Sequence, residues 1–112
     1  MENMMDSQRC IEACTHCSQT CLQMAMTHCL EEGGQHVEPE HFRLMMDCAE
    51  VCQTSARLQL SGSQFMEEFC ALCAEICLSC ADSCERVGNM QACVEACQAC
   101  ARSCEEMSGM AS

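Results

Sequence analysis

Sixteen cysteines in a chain of 112 residues recur at steps of three and four, the repeat of an α-helix, and thiolate is a soft donor suited to soft metal ions. One run is Cys10, Cys14, Cys17 and Cys21; a second is Cys70, Cys73, Cys77, Cys80 and Cys84; a third is Cys93, Cys97, Cys100 and Cys104. Cys48 and Cys52 form a shorter pair, and Cys29 stands apart. At 100° per residue each run keeps to one helix stripe about 60–80° wide. Such a stripe ordinarily turns Leu and Ile toward a core. Here it turns sulfur, and thiols gathered on inward faces describe a container for soft metal ions.

Distances favour metal over disulfide within a stripe. Cβ atoms at i and i+4 lie about 5–6 Å apart, whereas a disulfide wants roughly 3.5–4.5 Å. Two thiolates on opposite sides of an ion, with a bond of about 2.3 Å, stand up to about 4.6 Å apart, which rotamer choice reaches. Disulfides between facing helices remain geometrically open. Charge then selects the ion. Sixteen buried thiolates need cations to neutralise them. A monovalent ion at about one per thiolate leaves the interior near neutral, while zinc held by four thiolates leaves each site doubly negative. Softness and single charge together point to multiple Cu(I) ions; softness alone also admits Cd, Hg or Ag. Protonated cysteine is a small hydrophobe, so the same core can fold without metal and release protons when metal enters.

Other cysteine chemistries fit less well. The ferredoxin run Cys-x2-Cys-x2-Cys-x3-Cys-Pro wraps a cluster in a loop, and no segment matches it. Redox chemistry at Cys70-x2-Cys73 lacks the βαβ context such pairs require. An iron–sulfur carrier and a purely structural thiol bundle stay as rivals from other classes. A general zinc or cadmium sink is the rival within the binding class.

The elements that must position these residues are four helices in one domain over 1–112, at about 7–32, 39–60, 63–87 and 89–107. Asp6 or Ser7 caps the first, and Gly33-Gly34 stops it. Pro39 opens the second, with Glu40 in its first turn. Ser61-Gly62-Ser63 separates the second from the third, Gly88 ends the third, and Asn89 caps the fourth. Short connections between long helices make neighbours antiparallel, so the expected fold is all-α, an up-down four-helix bundle with a Cys-lined core. Glu75, Asp82 and Arg86, and Glu95, Gln98, Arg102 and Glu105, lie opposite the stripes. Ile11, Leu44, Val51, Phe69, Leu72, Ile76 and Val94 border them. On the second helix the stripe continues as His41 and Met45 on one side and Ser55, Ala56 and Gln59 on the other.

Antiparallel packing makes two ends. One gathers His28, Cys29, His36, His41, Met45, Cys84, Met90 and Cys93, where imidazole and thioether would supply a first site for incoming copper. The other gathers Met4, Met5, Phe65, Met66, Met107 and Met110, an apolar plug. His16 reads as a solvated side chain.

Net charge is −12, with seventeen acids, five arginines and no lysine. A nucleic-acid partner would want a basic stripe, and no apolar run reaches membrane-spanning length. The start of the chain shows neither a secretory pattern nor a twin arginine, so the expected location is the cytoplasm, where thiols stay reduced. Nothing in the pattern asks for catalysis, and the expectation is a protein that is not an enzyme.

Cys-Ile-Glu-Ala-Cys at 10–14, Asp-Cys-Ala-Glu-Val-Cys at 47–52, Phe-Cys-Ala-Leu-Cys-Ala-Glu-Ile-Cys at 69–77 and Cys-Gln-Ala-Cys at 97–100 give the chain a further reading. It resembles the bacterial copper storage proteins over nearly its whole length, and looks like their cytosolic branch. The resemblance implies Cu(I) held by thiolate pairs such as Cys10/Cys14 and Cys48/Cys52, and a homotetramer; a copper chaperone suits as a partner, though the sequence itself does not show one. One departure stands out. Met24 and His28 occupy the phases where that branch extends its first cysteine stripe, and Cys29 lies about 80° off the stripe set by Cys21. That calls either for a local irregularity in the helix or for a thiol facing sideways.

Overall fold

Four helices form because each carries a small, apolar stripe of Cys and Ala bounded by charge, with a backbone break at each end. The computed structural model describes the backbone of residues 2–109 and the side chains of residues 6–109. Helix α1, Glu2–Met24, runs without interruption into a π-helical turn, Ala25–Cys29, and a closing turn, Leu30–Glu32. A 3-10 turn, Gly34–Val37, leads to α2, Pro39–Leu60; α3 spans Met66–Val87 and α4 spans Gln91–Ser108. The helices pack in a ring, α1 on α2, α2 on α3, α3 on α4 and α4 back on α1. The result is the expected all-α antiparallel bundle, 46 × 24 × 19 Å in extent.

Several boundaries differ from the sequence expectation, each for a local reason. Asp6 does not cap α1, which already runs from Glu2; it lies within the helix and ion-pairs with Arg9 three residues on, at 2.8 Å. The third helix begins at Met66 rather than 63 because Ser63 shapes the preceding turn: its hydroxyl accepts from the Phe65 N–H at 3.1 Å and its carbonyl from the Met66 N–H at 3.2 Å. Asn89 is not a cap. It takes φ of 59°, a left-handed conformation that asparagine tolerates, and Met90 stands at the N-cap position without a side-chain bond. Pro39 does open α2, with the Glu38 carboxylate accepting from the Glu40 N–H at 3.2 Å. Gly33 at φ 66° and Gly88 at φ 88° end α1 and α3 in conformations that L side chains resist.

All sixteen cysteines are 0% exposed, and all are free thiols. Ala49, Ala56, Ala74, Ala81, Ala96 and Ala101 are buried beside them, and their small volume lets the helices approach closely around the sulfurs. Ile11, Leu44, Phe69 and Ile76 pack half-buried against this core, and Val51 and Val94 lie inside it. Leu72 does not. It is 46% exposed.

The π turn resolves the position of Cys29. Eight α-helical steps from Cys21 turn the chain by about 800°, about 80° past the stripe. One residue taken up in a π turn removes about 100°, which returns Cys29 to within about 20° of it. The turn thereby puts Ala25 and Cys29 in the core, both 0% exposed, and leaves Met24 and His28 at its margin. Thr27 donates from its hydroxyl to the Gln23 carbonyl at 2.7 Å, within the disturbed ladder.

Because neutral thiols pack as small apolar groups, the reduced, metal-free protein is expected to give a strongly helical circular dichroism spectrum. A random-coil spectrum under anaerobic reducing conditions would contradict this packing account.

Candidate metal centre

Three helices contribute to most of the sulfur groups, so no single helix defines a site. Cys17 and Cys21 from α1, Cys48 from α2 and Cys97 from α4 form one group; all six Sγ–Sγ separations lie between 3.6 and 3.9 Å. Cys17, Cys52, Cys77 and Cys100 form a second, and Cys14, Cys73, Cys100 and Cys104 a third. Cys52 lies 3.4 Å from Cys77 and 3.6 Å from Cys100, and Cys100 lies 3.4 Å from Cys14. Cys10, Cys70 and Cys104 close the row at one end. The groups share members, so the sulfurs make a continuous file and not separate four-ligand cages.

Along a single helix the pairs Cys10/Cys14, Cys17/Cys21, Cys48/Cys52 and Cys73/Cys77 stand 3.9, 3.9, 3.9 and 4.0 Å apart. That equals the edge of a trigonal three-sulfur site, about 4.0 Å with a bond of about 2.3 Å, and is about 0.6 Å short of a linear two-sulfur site. Small rotamer changes span that range. A file of thiols with such spacings can take ions of low coordination number one after another.

Protonation follows from burial and from the thiols themselves. Burial, helped by the sulfurs of Cys93 and Cys80, pushes Cys29 up from 9.0 to about 11. The neighbouring Cys10 thiol, with burial adding to it, pushes Cys70 up to about 11. Inside the file the direction alternates: thiols donating to Cys17, Cys100 foremost, hold it down, while Cys52 is pushed up, its bond with Cys100 foremost. A first thiolate is therefore stabilised by the S–H groups around it.

The side chains expected at the histidine end make several distinct contacts. Met45 is fully buried and its thioether accepts from Cys84 at 3.4 Å and Cys80 at 3.7 Å. Met90 accepts from Cys29 at 3.8 Å, and the Cys93 thiol lies 3.9 Å from the Thr20 carbonyl. His41 is buried; its Nδ1 contacts the Ser83 hydroxyl at 2.7 Å, and its Nε2 is buried without a partner. Burial, then the charges of His36 and Arg86, hold the His41 pKa below the usual imidazole value, so a neutral ring nitrogen is present at neutral pH. His36 is buried as well, with Nε2 3.1 Å from the Gly88 carbonyl, and the half-buried His28 meets it edge to face at 5.1 Å between ring centres. His16 is exposed, as expected.

The opposite end differs from the expected apolar plug. Phe65 is 59% exposed, because the turn before α3 carries it outside the bundle. Met66 and Met107 are half-buried against the core, while Met110 and the side chains of Met4 and Met5 lie outside the described residues. Polar groups of α2 meet the thiols there instead. Gln59 Nε2 lies 3.3 Å from Cys10 Sγ, and the Ser55 hydroxyl lies 3.5 Å from Cys70, 3.7 Å from Cys14 and 3.9 Å from Cys104. Their positions on the α2 stripe were readable in the sequence; their contact with sulfur was not. Ser83, which holds His41, sits three residues after Cys80 on α3, and that stripe phase was its only signal.

Among the described residues no helix is long and apolar enough to cross a membrane. The chain is 55% identical to the Nmul_A1745 protein of Nitrosospira multiformis, covering 95% of this chain and 97% of that one with a TM-score of 0.92. It is 40% identical to the Cu(I)-bound copper storage protein BsCsp3 of Bacillus subtilis, covering 92% and 98% with a TM-score of 0.85. A cytosolic copper storage protein from Streptomyces lividans, solved with five coppers, is 30% identical over 93% and 92% with a TM-score of 0.80. The family model described as copper storage protein matches residues 3–109. This chain belongs to the copper storage protein family.

Proposed function

We propose that this protein stores and buffers Cu(I) in the cytoplasm, taking up many ions on its core thiolates to limit copper toxicity or to supply copper. The observation that carries the reading is a core of sixteen free, fully buried thiols, eleven of them joined by sulfur–sulfur contacts of 3.4–4.0 Å. Cytoplasmic location draws support from the Streptomyces relative, which is described as cytosolic. A storage role without catalysis fits a family of copper storage proteins. The ligands in this reading are the sixteen cysteines, with His28, His36, His41, Met45 and Met90 at the loading end. A homotetramer would cover Leu22, Met26 and Leu30, which are exposed at 44%, 43% and 54% and follow one another from the end of α1 through the π turn into the closing turn. A copper chaperone is the partner class such a store would exchange with.

Two features favour Cu(I) over a general zinc or cadmium sink. Each Cu(I) replaces one proton, so a filled file of thiolates stays near neutral in its dry interior, whereas a divalent ion on four thiolates leaves two negative charges. The shared membership of the sulfur groups also suits ions that bridge pairs and triplets more than ions that each want four sulfurs.

Anaerobic titration with Cu(I) against a competing chelator is expected to saturate near or above sixteen ions per chain, one per thiol. Saturation at about four, one ion per four sulfurs, would favour the zinc or cadmium reading. Replacing His36, His41 and Met45 with Ala is expected to slow Cu(I) loading in stopped flow without lowering final capacity; unchanged kinetics would remove these residues from the loading path. Cys29 and Cys70 keep their protons up to about 11, against 9.0 ordinarily. Above pH 9 the unfolded chain loses protons that the folded chain still holds, so metal-free stability is expected to fall from pH 9 to 11. Chemical denaturation across that window measures it, and a flat profile would contradict the burial of these thiols.

A further inference from the structure

The end of the core that faces away from the histidines mixes sulfur with harder groups. Cys10, Cys70 and Cys104 place their sulfurs within 4.8 Å of one another, and Cys10 and Cys104 are 3.7 Å apart. The Ser55 hydroxyl, 1% exposed, stands 3.5 Å from Cys70 and 3.9 Å from Cys104. Gln59, 7% exposed, reaches Cys10 at 3.3 Å and the Ser55 hydroxyl at 3.4 Å with Nε2, and its Oε1 is buried without a partner.

We propose that Cys10, Cys70, Cys104 and the Ser55 hydroxyl, at the end of the sulfur file, form a three-sulfur, one-oxygen site for a divalent ion of the zinc class, with Gln59 as its positioning residue. A tetrahedral site with zinc-length bonds has sulfur–sulfur edges of about 3.8 Å and sulfur–oxygen edges of about 3.5 Å; three of the six edges here, at 3.7, 3.5 and 3.9 Å, are close to these, and the Cys70 sulfur lies within 4.8 Å of the other two. Cys17, Cys21, Cys48 and Cys97 match a four-sulfur tetrahedron on all six edges, at 3.6–3.9 Å, so distance alone does not favour the mixed site. Charge separates the two. Four thiolates around a divalent ion keep two negative charges, and the hydrogen-bond partners of Cys17, Cys21, Cys48 and Cys97 are other thiols. Three thiolates keep one, and the Gln59 N–H donates directly to the Cys10 sulfur. An anionic site in a dry interior needs such a donor.

Gln59 suits both states of the site. Rotation of the amide presents either N–H to a Cys10 thiolate or carbonyl oxygen to a Cys10 S–H, the second at the loss of the Nε2 contact with the Ser55 carbonyl at 3.3 Å. Access lies close by. A cleft lined by Asp6, Glu67 and Glu106 together with Met66 and Met107 opens at this end of the bundle, and its carboxylates draw cations toward it. The site shares Cys10, Cys70 and Cys104 with the copper store and takes a divalent ion only in the absence of Cu(I); excess Cu(I), the better partner for thiolate, displaces that ion.

The test uses the reduced, full-length, metal-free chain, titrated anaerobically with Co(II) as a coloured substitute and back-titrated with Zn(II). One Co(II) per chain is expected, with the intense visible bands of a tetrahedral ion and thiolate charge-transfer absorption of three sulfurs, bleached by one Zn(II). Ser55→Cys is expected to shift the visible bands to lower energy, toward a four-sulfur pattern, at unchanged stoichiometry. Gln59→Leu is expected to weaken Zn(II) binding by roughly 10–100-fold, the usual cost of losing a group that supports a metal ligand. His41→Ala is expected to change neither. A four-sulfur spectrum in the unaltered protein, spectra indifferent to Ser55→Cys, binding of several ions per chain, or no binding would each overturn the proposal.

Discussion

The interior of this bundle can hold thiols or metal thiolates, but it cannot hold bare charge, and most of the structure answers to that constraint. An unpaired thiolate in a dry core costs several kcal/mol. Sixteen of them without cations would exceed the entire stability of a small domain, about 5–15 kcal/mol. Protons neutralise the sulfurs in the metal-free state, and singly charged ions can replace those protons one for one without altering the charge of the core. The same constraint explains why no acidic side chain among the described residues is buried: the −12 net charge solvates the outer faces and stays out of the sulfur file.

The two ends of the file differ in kind. At one, Met45 and Met90 replace thiol with thioether, His28 and His36 meet edge to face, and His41 is buried against Ser83. Neutral soft and borderline donors at the margin can pass an ion inward without depositing charge there. At the other, Ser55 and Gln59 interrupt the α2 stripe, so sulfur meets hydroxyl and amide. Helix α2 has only Cys48 and Cys52 because its remaining stripe positions build these two ends. A chain that simply maximised thiols would have continued the cysteines through 41, 45, 55 and 59.

The fold was legible in the sequence because four stripes at helical period, separated by Gly, Ser and Pro, admit few other packings. The cysteines were equally legible, since stripe position alone predicts which way each sulfur turns. Cys29 was not, because a π turn shifts phase without leaving a mark that composition or spacing reveals; only the 80° misfit hinted at it. Phe65 was misread because apolar character says nothing about whether a turn residue faces in or out, and the Ser63 turn sends it outward. Asn89 carries both capping and left-handed propensity, and the tight link between α3 and α4 selected the second. The neutral donors at the bundle ends lay on the right stripe, yet which sulfur each touches depends on helix rotation and rise, which one sequence does not encode locally.

The claim on which this account rests is that Cu(I) takes the place of protons in a core whose charge does not change. Counting protons released during anaerobic Cu(I) loading at neutral pH measures it directly. At saturation the account requires about one proton per Cu(I) bound, summing to the sixteen thiols of the chain. Saturation with two or more protons released per ion would mean a core left strongly negative, and saturation with almost none would mean that the thiols are not the ligands. Either result would contradict the neutral-core account.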